Sequence, residues 1–242
     1  MAGNRHSPEI KEILLMSCEV RRLDTKEIFF VYRRYVANFF EDEFILTEAA
    51  LSNLLARKIY IGYGLYDNNN LVGFGLFFTN RTGNVMLLDY YVTLKKYRRL
   101  GYPSRFWQLL KERLINGYGP ELKVKSITAA HKYFIRPENK VDLGNKDNYF
   151  GVEGIFIELE GVQDADRKAL RERARKLLFY RNIGSYMTDT VPNFMDEEYN
   201  VMYFPVFKSP GREELNKMLL SVYMNILPSF KDRKKYIRRL TE

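Results

Sequence analysis

The residues best placed to do chemistry lie in one stretch, LLDYYVTLKKYRRLGYPSRFWQLLKERL, Leu87 to Leu114, which reads as a strand, a short basic turn and a helix. Such a turn aims the unpaired N–H groups and the positive dipole of a helix start at whatever lies above the strand, an arrangement suited to a pyrophosphate. Arg98 and Arg99 supply charge there, and Gly101 supplies backbone freedom. The same residues also make an ordinary helix start with solvated charges. Asp89, four positions before Thr93 on the strand, is a candidate general base, acting directly or through a water, with a salt bridge or turn cap as its structural alternative. Neither histidine, His6 nor His131, has partners at metal-ligand spacing, so no metal is expected, and nothing resembles a nucleophile with its base. Cys18, the single cysteine, sits in the apolar stretch Ile13 to Val20 and reads as a buried strand residue rather than a nucleophile.

These groups need a scaffold, and the pattern along the chain supplies one. Glu9 to Val20 suits a first strand, and Asp24 to Thr25 offers the cap of a helix through KEIFFVYRRYVANFF, followed by an acidic loop and a second helix from Thr47 to Arg57. Three strand-like runs, Lys58 to Tyr66, Leu71 to Thr79 and Asn84 to Thr93, are separated by DNNN and NRTG turns and predict an antiparallel meander. A helix from Pro103 to about Asn116 follows, then Gly117 to Phe150, read as an insertion or flap. Gly154 to Glu160 is a strand, Asp166 to Ile183 a helix closed by Gly184, and Ser185 to Val191 and Tyr199 to Phe207 are further strands. Leu215, Met218, Leu219, Val222, Ile226 and Leu227 form the apolar stripe of a C-terminal helix, to be packed on the same domain or in a homodimer.

In this strand, turn and helix the chain resembles the GNAT N-acetyltransferase superfamily, whose coenzyme A signature is Arg/Gln-x-x-Gly-x-Gly/Ala. The matching run is Arg98, Arg99, Leu100, Gly101, Tyr102 and Pro103. Its last position departs from the signature, and proline has no N–H for a pyrophosphate, which leaves Gly101, Tyr102, Ser104 and Arg105 to serve. The resemblance implies an α/β (α+β) GNAT acyltransferase fold: a mixed, mostly antiparallel sheet flanked by helices, with splayed fourth and fifth strands, over residues 1–207, and a helical extension over 208–242. It implies acetyl-coenzyme A as donor, its pantetheine arm held by backbone groups of Tyr91, Val92 and Thr93. FYRNIGS, Phe179 to Ser185, looks like the family's helix end, in which Tyr180 protonates the departing thiolate.

The implied activity is transfer of an acetyl group directly to a primary amine on a small molecule or peptide. The amine would enter past Glu41, Asp42 and Glu43, whose carboxylates attract an ammonium, and past Tyr32 and Tyr90. A GNAT-like module that has lost catalysis and binds an anionic nucleic acid or protein is the alternative.

Composition is compatible with an enzyme of this kind. The 242 residues suffice for a core without disulfides, and 46% hydrophobic with 29% charged residues is an ordinary globular balance. A formal charge of +9 favours an anionic partner: a nucleic acid, a membrane surface or a phosphorylated cofactor, against the alternative of charge spread over solvated helices such as Arg167 to Arg181. Nucleic acid is not expected, because bases and acids alternate on the helices and no aromatic-basic sheet motif is present. No apolar run approaches a bilayer span and the first residues lack a signal-peptide core, so a cytoplasmic protein without membrane contact is expected, as monomer or homodimer.

Overall fold

The structure, a computed structural model, describes residues 17–38, 45–116, 151–160, 167–189, 193–194, 197–207 and 209–226. The insertion read over Gly117 to Phe150, the loop carrying Glu41, Asp42 and Glu43, both histidines and the basic tail lie outside the described residues. Two compact units divide the chain, Met1–Leu76 with Tyr90–Arg113 and Phe77–Asp89 with Leu114–Glu242.

In the first unit β1 (Cys18–Arg22) pairs antiparallel with β2 (Tyr60–Asp67), in a register from Cys18 opposite Asp67 to Arg22 opposite Tyr63. The first strand therefore sits later than the expected Glu9 to Val20, and residues 9–16 are not among those described. Between the two strands run α1 (Thr25–Val31) and α2 (Glu48–Ala56). Asp24 and Glu27 close a reciprocal capping box at the start of α1, each side chain accepting the other's backbone N–H at 2.8 and 2.9 Å. Thr47 caps α2 in one direction, its hydroxyl accepting from the Ala50 amide at 3.2 Å.

After Val31 the helix widens into a π turn over Tyr32–Val36, where the sequence predicts a plain helix. The Ala37 amide reaches back to the Tyr32 carbonyl, five residues away, at 3.0 Å. Val36 follows Val31 by five positions and both are fully buried, so the wider turn keeps them on one face.

A two-residue turn, Asn68-Asn69 with φ of 47° and 63°, joins β2 to β3 (Asn70–Thr79), the mirror-image turn that matches strand twist. β4 (Val85–Thr93) ends in this unit, followed by a 3₁₀ turn at Lys95–Tyr97 and by α3 (Tyr102–Asn116), one residue longer than read. Gly73 is required by close approach: a methyl group there would stand 2.7 Å from the Val92 carbonyl oxygen on β4. Gly73→Ala is expected to cost about 1–3 kcal/mol, read as a lower urea midpoint at unchanged slope.

In the second unit the strand order is β4-β5-β8-β6. β5 (Gly154–Glu160) runs parallel to β4 and antiparallel to β8 (Glu197–Pro205) through seven consecutive pairs. The parallel ladder covers Val85–Leu88 with Gly154–Ile157 and stops, although β4 continues to Thr93 and β5 to Glu160. This is the parting of the fourth and fifth strands that the family resemblance implies.

α4 (Arg167–Asn182) packs on β5. Of the strand expected over Ser185 to Val191, the described residues form β6 (Tyr186–Met187), and Thr188, next in the same register, donates both its N–H and its hydroxyl to the Val201 carbonyl at 2.9 Å; residues 190–191 lie outside the described residues. A short strand that the sequence reading missed, β7 (Asn193–Phe194), pairs with the start of β8. Leu215, Met218, Leu219, Val222 and Tyr223 of α5 (Arg212–Ile226) are buried in this unit, while Ile226 is half-buried and Leu227 is not described. Ser221 accepts from the Asn80 amide group at 3.1 Å, and Asn225 donates to the Thr79 carbonyl at 3.4 Å. No helix among the described residues is long and apolar enough to cross a membrane, and no group of three or more metal-ligating side chains is found among them.

Candidate active site

The basic turn of the first unit leads into a helix start through two residues of positive φ. Arg98 is extended, Arg99 lies in the left-handed region at φ 64°, Gly101 has φ 90°, and α3 starts at Tyr102. Changes of backbone hand of this kind turn successive N–H groups toward a common point. The Arg105 amide donates to the Gly101 carbonyl at 3.2 Å, which is the first bond of the helix. The orphan positions are therefore Gly101, Tyr102, Pro103 and Ser104, and proline leaves three donors of four. Of the four amides proposed from sequence, that of Arg105 is already engaged. Its side-chain Nε, however, is buried without a hydrogen-bond partner, while Arg99, Gly101 and Ser104 are exposed.

Other side chains of this stretch hold the turn in place. The Arg98 Nε donates to the Thr93 carbonyl at 3.0 Å, tying the turn to the end of β4. Tyr102 is buried and donates its hydroxyl to Asp67 at 2.7 Å; burial, then that carboxylate, push its phenol far above the ordinary range. Tyr91 stacks obliquely on Phe106 and Trp107 and donates to the Pro103 carbonyl at 3.4 Å, while the Thr93 hydroxyl donates to Tyr91 at 3.3 Å. The Tyr91 ring is thereby held against α3.

Tyr32 and Tyr90 also come together in this unit, edge to face with ring centroids 5.8 Å apart. They are 3% and 5% exposed, and the Tyr32 hydroxyl accepts from the Leu46 amide at 2.7 Å. Their described surroundings are core. The groove between α1 and α2 is cationic on its described residues, with Lys26, Arg33 and Arg34 against Glu48, which Arg33 engages at 2.6 and 2.8 Å.

The second unit holds the candidate acid–base residues Asp89 and Tyr180. Asp89 and Glu158 are the next residues on β4 and β5 after the last pair of the parallel ladder, Leu88 with Ile157. They stand where the strands part. Glu158 Oε1 is buried and makes no hydrogen bond among the described residues. Burial, then the Asp89 charge, push the Glu158 carboxyl up to about 8. A buried carboxyl whose proton affinity is raised in this way can act as an acid or a base near neutral pH.

Tyr180 lies near the end of α4, the helix on β5, and is 8% exposed; burial holds its phenol well above the ordinary range. The Ser185 amide closes onto the Tyr180 carbonyl at 2.9 Å and Gly184 takes φ 99°, the helix ending read from sequence. Glu158 was missed because GIFIELE reads as an apolar strand. The available signal was a carboxylate flanked by the buried Ile157 and Leu159.

Residues 26–134 match the acetyltransferase (GNAT) family model. Over this stretch the chain matches a GNAT acetyltransferase domain. The match includes Asp89 and the basic turn and ends before Glu158 and Tyr180. A GNAT-family protein from Bacteroides thetaiotaomicron superposes with a TM-score of 0.55 at 13% identity, over 89% of this chain and 98% of that one. A GNAT-family protein from Desulfovibrio desulfuricans gives 0.46 at 15% identity, over 78% and 99%. The ribosomal-protein-S18-alanine N-acetyltransferase of Escherichia coli gives 0.45 at 12%, over 80% and 96%. At 13% identity the Bacteroides likeness establishes the GNAT fold alone. Among curated proteins none matches the chain in sequence.

Proposed function

We propose that this GNAT domain is an N-acetyltransferase that moves an acetyl group from acetyl-coenzyme A directly to a primary amine. The observation that carries the reading is the Arg98–Tyr102 turn, with left-handed backbone at Arg99 and Gly101 opening onto α3 inside the family match. The residues present fit a diphosphate with one donor fewer than the signature: amides of Gly101, Tyr102 and Ser104, and the Arg99 cation. Acetyl-coenzyme A, when bound, supplies the activated acetyl thioester.

The chain's own residues manage the protons. Glu158 takes the proton of the incoming ammonium, with burial first and the Asp89 charge second keeping the carboxyl basic enough to do so near pH 8. The phenol of Tyr180 keeps its proton for the departing sulfur. Glu41, Asp42 and Glu43 remain proposed as selectors of a cationic acceptor.

Calorimetric titration with acetyl-coenzyme A at two salt concentrations, followed by turnover on a panel of amines, tests the reading. Saturable micromolar binding with turnover of at least one amine is expected. Absence of binding moves the domain to the second reading, a non-catalytic binding module, which Pro103 favours by removing an N–H from the turn.

Pro103→Ala restores that N–H and keeps the helix. Acetyl-coenzyme A affinity is expected to rise about tenfold. An unchanged dissociation constant would show that this position does not face the diphosphate.

A further inference from the structure

We propose that the outer face of α4 docks the phosphodiester backbone of double-stranded nucleic acid, without regard to base sequence. α4 carries seven cations and one carboxylate, Glu172, so this helix alone holds +6 of the chain's formal +9. The expectation that nucleic acid is not a partner rests on bases alternating with acids, and on α4 that alternation shrinks to one residue. The core explains little of this charge. Tyr180 is the buried residue of the helix, and Arg167, Lys168, Arg171 and Arg175 are all exposed.

Arg167, Arg171 and Arg175 follow one another at four-residue spacing, a row of cations with about 6 Å of rise between neighbours. Like charges at that spacing repel and weaken a helix. None of the three has an ion-pair or hydrogen-bond partner among the described residues. Glu172 lies in the adjacent row, between Lys168 and Lys176. A row of unpaired guanidinium groups complements a row of phosphates, which Arg binds with a planar fork of donors.

The chemistry on this face favours a duplex over other polyanions. Its aromatic side chains offer no free face for stacking on single-stranded bases: Phe179 continues the row but is half-buried and packed edge to face on Tyr180, ring centroids 5.2 Å apart, and Tyr180 is buried. Leu170 and Leu178, 43% and 56% exposed and two turns apart, fall short of the apolar patch that marks a protein or lipid contact. A second copy of α4 would be repelled by the same charge. What remains is backbone recognition of a stiff polyphosphate, strong at low salt and carrying little sequence information.

The test is fluorescence polarisation of the full chain with labelled DNA and RNA duplexes of unrelated sequence across a salt series, beside an Arg167→Gln/Arg171→Gln/Arg175→Gln triple variant and the corresponding triple Lys variant. The wild type is expected to bind at least one duplex, with a log–log salt slope made up of about 0.9 per phosphate neutralised. The Gln variant should weaken low-salt binding at least tenfold and flatten the slope by about 3, and the Lys variant should keep most of both. Removing like-charge repulsion from an exposed row should leave the thermal midpoint unchanged or higher, so lost binding with an intact melt reports the surface. No duplex binding at low salt, an unchanged slope in the Gln variant, or tighter binding to anionic phospholipid vesicles or polyglutamate than to either duplex would overturn the proposal. None of these outcomes depends on acetyl transfer.

Discussion

Glu158→Gln is expected to lower kcat about 10²–10⁴-fold and to remove an ascending limb of the pH–rate profile centred near pH 8. In the wild type, burial and the Asp89 charge hold this carboxyl up to about 8. A base is active when deprotonated, so kcat/KM should rise with pH through that value and level off above it. The amide of Gln is nearly the same size and cannot accept a proton, so the limb vanishes together with the rate. Asp89→Asn removes the like charge next to Glu158, so in that variant the limb should move toward lower pH rather than disappear. A profile whose midpoint stays near 8 in Glu158→Gln would assign it to another group and exclude Glu158 as the base.

Stability separates this role from a structural one, because the sign of the linkage is fixed. The folded-state pKa of Glu158 is raised above its unfolded value, so the group's contribution to stability is fully present below about 4.3, the unfolded value, and is lost as pH rises through about 8. Above that pH the native state holds a buried carboxylate whose Oε1 has no hydrogen-bond partner among the described residues. Glu158→Gln should therefore raise the thermal midpoint at pH 9 relative to wild type while lowering kcat about 10²–10⁴-fold. A residue conserved for packing or pairing would lose both together.

The split between what sequence showed and what it hid follows the range of the interactions. Helix ends were legible because caps are local: Asp24, Thr47 and Gly184 each act within four residues of themselves. The basic turn was legible for the same reason, with Arg98, Gly101 and Pro103 in one short run. The π turn at Tyr32–Val36 was hidden because a plain helical period already places Ile28, Val31 and Tyr35 on one side, and only burial of Val36 requires the wider step. Glu158 was hidden because its meaning comes from Asp89, 69 residues earlier and brought beside it by the parallel pairing of β4 with β5. Nothing local marks a carboxylate in GIFIELE as unpaired. The charge on α4 was visible as composition, whereas its exposure became visible only when one residue, Tyr180, proved to be its buried anchor.

Tyr180→Phe is expected to lower kcat about 10²-fold or more, with acetyl-coenzyme A affinity within about twofold of wild type. The substitution keeps the ring that α4 buries, so the fold and the helix ending at Gly184 should survive, and it removes one hydroxyl. Burial holds the phenol far above its ordinary range, so it is expected to keep its proton from pH 7 to pH 9. A donor of that kind adds no descending limb, and the wild-type profile should stay level on the alkaline side until another group titrates. The loss in Tyr180→Phe should accordingly be the same multiple at pH 7 and pH 9. It should shrink with acyl donors whose leaving thiol is more acidic than coenzyme A, since a weaker base needs less protonation on departure. A loss in affinity with kcat intact would instead place Tyr180 among the packing residues of α4, and the departing sulfur would then take its proton from water.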